Sequence, residues 1–182
     1  PYLNDWIAQG GQTIFWMFFA AIIFFGFEIS RGIRSMKGKI SFNLAWIFLV
    51  SGILFSRISS ASLFNGVNFI SQAFYLLAVL VFIFVSAWVY FNEEIKIKPE
   101  MIFIASWMIF TLISARAATR MFFAITPFVC FSAGYLLIVL FKYYQRSSEE
   151  FLKLMTGILL ILVLISSIVS LIGAYNLTMN QA

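Results

Sequence analysis

Apolar residues in this chain fall in long blocks, separated by clusters of charge and by Gly, Pro and Asn groups. A membrane span needs roughly 20 mostly apolar residues to cross about 30 Å of hydrocarbon. Cutting at the charged and turn-forming breaks leaves six blocks: 12–29, 41–56, 69–91, 99–115, 117–141 and 151–175. The second and fourth are short for a full span, so neighbouring protein or a locally thinned bilayer has to shelter their ends. The pattern predicts an all-α fold, a polytopic transmembrane helix bundle of about six helices.

Composition turns this into a statement about environment. The 182 residues are 63% hydrophobic and only 10% charged, with a mean hydropathy of +1.00. A soluble domain is about 25% charged and 45–50% apolar. The chain is therefore expected to be a multi-pass integral membrane protein, in the cell membrane if its source is prokaryotic. A single Cys excludes a disulfide scaffold, and the absence of His leaves almost nothing for a zinc or His-relay site. The aromatic-rich runs lack interleaved Lys and Arg, so no nucleic-acid partner is expected. No internal repeat, Gly-rich phosphate loop or nucleophile–His pair is visible. The opening PYLNDWIAQGGQ has neither an initiator Met nor a signal peptide, and the polar tail AYNLTMNQA follows directly on an apolar block. Both features lead to the expectation that the chain is an excerpt, needing the rest of its own polypeptide.

The basic residues then set an orientation, because Lys and Arg of short loops are retained on the cytoplasmic side. Arg31, Arg34, Lys37 and Lys39 follow block one, Lys96 and Lys98 follow block three, and Lys142, Arg146 and Lys153 follow block five. Only Arg57, Arg116 and Arg120 fall in the alternate connections. Both termini are thus expected on the extracytoplasmic side, with three outward arginines that charge sorting does not explain.

Arg116 and Arg120 sit in ISARAATRMFFAITP, and in a continuous helix they would share one face at i, i+4. A charge at the bilayer centre costs roughly 2.5–3.5 kcal/mol on insertion scales, less where an arginine snorkels. Paired arginines there suggest an anion between them, and phosphate suits the guanidinium fork. The small residues Ala115, Ala117, Ala118 and Thr119 leave room for a bulky ligand or a close neighbour. The plainer reading is that both arginines anchor a helix end at headgroup depth. Pro127, two turns beyond Arg120, bends its helix and either opens a crevice or fits a bundle. Arg57 lies in a loop with four serines and an Asn-Gly turn signal, residues 55–66, which either lines a polar cavity or is an interfacial connection. Glu28 is placed to pair with Arg31 or Arg34. Cys130 reads as a small apolar filler, and Asn176 opens an Asn-Leu-Thr sequon on the outer face.

Three stretches, PYLNDWIAQGG, LFSRISSASLFNGVNFISQAFY and above all SARAATRMFFAITPFVCFSAGYLL, resemble the later transmembrane part of an oligosaccharyltransferase catalytic subunit of the archaeal single-subunit type. The resemblance covers essentially the whole chain, and its most specific element is Arg120 in Arg-Met-Phe-Phe-x-x-x-Pro. It implies an excerpt of a thirteen-helix membrane domain and a parent glycosyltransferase. That enzyme transfers a glycan from a dolichyl or polyprenyl (pyro)phosphate donor to Asn in Asn-X-Ser/Thr of an acceptor polypeptide. It also implies Mn or Mg in the parent, held by acidic residues upstream of Pro1, and an acceptor motif downstream of Ala182. No catalytic and no metal-binding residue is therefore assigned in this chain. Arg120 resembles the family's arginine near the donor phosphate, whereas Arg116 and Arg57 are candidates on charge alone. An anion-handling transporter or channel module, or a non-catalytic membrane scaffold, are the competing readings.

Overall fold

The computed structural model describes residues 2–117, 122–146 and 149–179. Among the described residues there is no strand, and six helices follow in order: α1 (Leu3–Ser30), α2 (Met36–Phe55), α3 (Phe69–Asn92), α4 (Pro99–Ala117), α5 (Phe122–Arg146) and α6 (Glu150–Met179). Each contains a stretch long and apolar enough to cross a membrane. The fold is an all-α set of membrane helices, as the block pattern predicts.

Helix ends differ from the apolar blocks, for local reasons. α1 starts at Leu3 rather than near Gln12, where the Asp5 carboxylate accepts the Tyr2 N–H at 2.6 Å. It is interrupted at Gly11, whose φ of 83° is open to glycine but costly for other residues. α2 starts at Met36 rather than Ser41 because Ser35 caps it, its hydroxyl accepting from the Gly38 N–H at 2.9 Å. That makes α2 20 residues long, or about 30 Å at 1.5 Å per residue, enough for a full span. α4 opens on Pro99, whose missing N–H is harmless at the first helical position, and runs to 19 residues. Neither short block is short as a helix. Ala117 closes α4 instead of opening the fifth helix, and residues 118–121 of the fifth block lie outside the described residues. α5 continues through Pro127 and beyond Phe141 to Arg146.

Two compact units are present, one made of residues 1–6 and 22–126 and the other of residues 7–21 and 127–182. In the first, Trp46 of α2 is 1% exposed and donates its indole N–H to the Ile22 carbonyl at 2.9 Å. Phe42 stacks on it with centroids 6.0 Å apart, and Phe25 and Phe82 lie at 6.4 and 5.8 Å. These tilted and stacked pairs add to the apolar burial. In the second unit Met17, Ala21 and Leu136 form a core with Ala133, Leu140 and Val163 around it. The Ser167 hydroxyl there donates to the Val163 carbonyl and to the Met17 sulfur.

Large apolar side chains elsewhere face outward, including Phe69 at 85% and Phe84 at 79% exposure along α3. Such continuous apolar exposure suits hydrocarbon and not water. Cys130, expected as a small apolar filler, is exposed and belongs to this outward set.

Candidate functional site

Two of the three arginines that charge sorting leaves unexplained meet at the end of α2. Ser56 caps that helix, and Arg57 starts a loop that turns back at once: the Arg57–Asn65 bridge is closed by the Ile58 N–H donating to the Phe64 carbonyl at 2.7 Å. The side chain of Asn65 accepts from the Val67 and Asn68 N–H groups at 2.9 and 2.8 Å, an Asx turn that starts the entry to α3. Asn68 then caps α3 by accepting the Ser71 N–H at 3.0 Å. The Arg57 carbonyl accepts the Leu3 N–H at 2.9 Å, which ties the start of α1 to the same loop.

The fully buried hydroxyl of Ser71 locks this turn, accepting from the Gly66 N–H at 2.7 Å and donating to the Ser56 carbonyl. Gly66 has a φ of 81°, and a Cβ there would strike Cγ, Cδ and Nε of Arg57. A glycine is needed at this position both for the backbone conformation and for the arginine stem.

Arg116 arrives from the last turn of α4. Its Nε and Nη2 donate to the Ser56 hydroxyl at 3.2 and 3.0 Å, and its Cζ stands 3.9 Å from the centroid of the Tyr75 ring on α3. Arg57 Nη1 donates to the Arg116 carbonyl at 3.3 Å, satisfying a carbonyl at a helix end. The Nε of Arg57 is buried and has no hydrogen-bond partner. Ion pairs among the described residues join Arg31 to Glu28 and Arg34 to Glu94, each at 2.7 Å, and none involves Arg57 or Arg116. Two half-buried guanidiniums thus share one place with a hydroxyl and an aromatic face, and no carboxylate neutralises them. Desolvated like charges held together are costly unless an anion completes the arrangement. Guanidinium forks match phosphate oxygens in geometry as well as in charge.

The other expected residues fall as follows. Arg120 lies outside the described residues, and with it the expected pairing of Arg116 and Arg120. Glu28 pairs with Arg31, as the i, i+3 spacing predicts, whereas Arg34 reaches across to Glu94. Asn176 lies within α6. Ser56 belongs to the serine-rich loop singled out in the sequence, but Ser71 and Tyr75 were missed, since a serine and a tyrosine in an apolar helix carry no signal of their own. Among the described residues no three Cys, Asp or Glu converge as metal ligands.

The chain matches no protein-family model, and no curated protein and no solved structure is significantly similar to it.

Proposed function

We propose that this chain is the donor-handling membrane part of an oligosaccharyltransferase, in which Arg57 and Arg116 hold the phosphate of a dolichyl or polyprenyl (pyro)phosphate glycan, with Arg120, outside the described residues, assigned to the same phosphate by resemblance alone. The observation that carries this reading is the arginine pair at the ends of α2 and α4. Among the described residues it has no carboxylate partner, and one guanidinium nitrogen is buried without a hydrogen bond. Resemblance supplies the reaction class: the motif around Arg120 and the loop around Arg57 are the stretches most like that family.

The chemistry follows from where charge develops. When the acceptor amide nitrogen bonds to the anomeric carbon, the bond from that carbon to the phosphate oxygen breaks, the phosphate leaves with the electron pair, and the proton lost by the nitrogen passes to the phosphate or to water. Guanidiniums fixed at that oxygen stabilise the transition state more than the ground state. Ser56 and Tyr75 hold the Arg116 plane in place, so little reorganisation is needed as the charge appears. Exposed apolar flanks of the helices would take the polyprenyl tail, and membrane lipid covers the remainder. Acceptor binding and any metal would be supplied by the rest of the polypeptide.

The test is glycan transfer to an Asn-X-Thr peptide in membranes containing the natural protein, with Arg57→Gln, Arg116→Gln and Arg120→Gln variants. Loss of one such donor is expected to lower turnover about 10²-fold or more. Unchanged turnover in all three would remove the proposal. A second reading has a specific observation behind it, because the Arg57 and Arg116 contacts also staple α2 to α4. In that scaffold reading, neutralising Arg116 lowers thermal stability and leaves the turnover of the folded fraction untouched. Anion flux in proteoliposomes that disappears with Arg57 or Arg116 would instead favour a transporter.

A further inference from the structure

At the opposite end of α2 the chain builds a second cationic place that the proposed reaction does not use. The connection from α1 to α2 lies against the connection from α3 to α4. Ile33 and Ile95 form an antiparallel bridge, the Lys96 N–H donates to the Gly32 carbonyl at 2.7 Å, and the Arg34 N–H donates to the Glu94 carbonyl at 3.3 Å. The two backbones are pressed together so closely that a Cβ on Gly32 would lie 3.0 Å from the Ile97 backbone. Ser35 donates to the Glu93 carboxylate at 2.6 Å and fixes the far end of the clamp.

This extended pairing sorts the side chains by alternation. Ile95 and Ile97 are half-buried, whereas Glu94, Lys96 and Lys98 point outward. Two recesses result around Gly32, one of about 480 Å³ lined by Arg31, Arg34, Glu94 and Lys96, and one of about 300 Å³ lined by Glu28, Arg31, Lys96 and Lys98. Both carboxylates are already engaged, Glu28 by Arg31 and Glu94 by Arg34. Lys96 and Lys98 have no ion-pair partner among the described residues, so both ammonium groups are open to an anion. It lies at the mouths of four helices, where Arg31, Arg34, Lys37, Lys39, Lys96 and Lys98 gather six of the twelve basic residues. The exposed Tyr90 and Phe91 at the end of α3 and Ile102 and Phe103 at the start of α4 flank it with surface for acyl chains.

We propose that this clamp is a binding site for the phosphate headgroup of an anionic membrane phospholipid, held by Lys96 and Lys98 with Arg31 and Arg34 beside them. Basic pockets between helices at the cytoplasmic face recognise such headgroups through charge, with the acyl chains remaining in the bilayer. The clamp fastens α1–α2 to α3–α4, so the bound lipid would brace the connection between them.

The experiment is native mass spectrometry of the purified full protein titrated with phosphatidylglycerol, phosphatidylcholine or soluble glycerol 3-phosphate. A one-to-one adduct with phosphatidylglycerol and none with phosphatidylcholine is expected. Lys96→Gln/Lys98→Gln should weaken that adduct about 30-fold, and Lys142→Gln/Arg146→Gln, in the other compact unit, should leave it unchanged. Thermal unfolding of both variants shows that each is folded; Lys96 and Lys98 are exposed, so neither substitution disturbs a core. Equal losses in the two double variants would reveal general electrostatic attraction and overturn the site. Glycerol 3-phosphate binding as tightly as the lipid would overturn the lipid in favour of a free phosphate compound.

Discussion

Ser71→Ala is the most incisive perturbation of the turn that presents Arg57. The hydroxyl has no solvent exposure and serves two groups, the Gly66 N–H at 2.7 Å and the Ser56 carbonyl. Removing it leaves the buried Gly66 N–H without an acceptor, which costs about 1–3 kcal/mol. Loss of the bond to the Ser56 carbonyl adds about 1 kcal/mol, giving about 2–4 kcal/mol in all. The cap of α3 is untouched, because Asn68 accepts from the Ser71 backbone N–H and not from its hydroxyl. Equilibrium unfolding in micelles, followed by tryptophan fluorescence, reads the global loss, and hydrogen exchange at the Gly66 amide reads the local one. Ser60→Ala, at an exposed position of the same loop, is the control and should stay within about 0.5 kcal/mol. A Ser71→Ala protein as stable as that control, with Gly66 still protected, would refute the claim that this hydroxyl locks the loop.

Further outcomes follow from the same geometry. Gly66→Ala forces an L side chain into a φ of 81° and against the Arg57 stem. It should cost about 1–2 kcal/mol, measured by the same unfolding, and lower donor affinity more than the addition of a methyl elsewhere in the loop. Trp46→Phe removes the bond to the Ile22 carbonyl and part of a ring cluster, so thermal unfolding should show a loss of about 1–3 kcal/mol. Glu94→Gln breaks an exposed ion pair with Arg34, which should change stability by less than about 1 kcal/mol, and by less still at high salt.

Much of the membrane architecture is legible as hydropathy, because hydrocarbon imposes the same demand on every span. Helix ends are not, since charge ends an apolar block before it ends a helix. Lys37 and Lys39 lie in the first turn of α2 behind the Ser35 cap, and Lys142 and Arg146 continue α5 past its apolar part. A Ser followed three residues later by the Gly38 N–H was the signal for the first of these. Arg57 and Arg116 stand out in the sequence because charge sorting leaves them unexplained. Their meeting does not, as 59 positions separate them and it depends on how α2 and α4 pack. Tyr75 under Arg116 is equally silent. The clamp around Gly32 did leave a trace: Ile95-Lys-Ile-Lys alternates with the period of an extended strand. Its partner at Ile33 has no such mark, so only the fold pairs them.

The central claim is that the Arg57–Arg116 place recognises a lipid-borne phosphate. It is tested most directly by the affinity of polyprenyl phosphate and of the neutral polyprenol for the protein in nanodiscs, with and without Arg57→Gln/Arg116→Gln. The account predicts clear preference for the phosphate in the wild type and its disappearance in the double variant, with polyprenol binding unchanged. Equal affinity for the two lipids in the wild type, or a preference that survives loss of both guanidiniums, would contradict it.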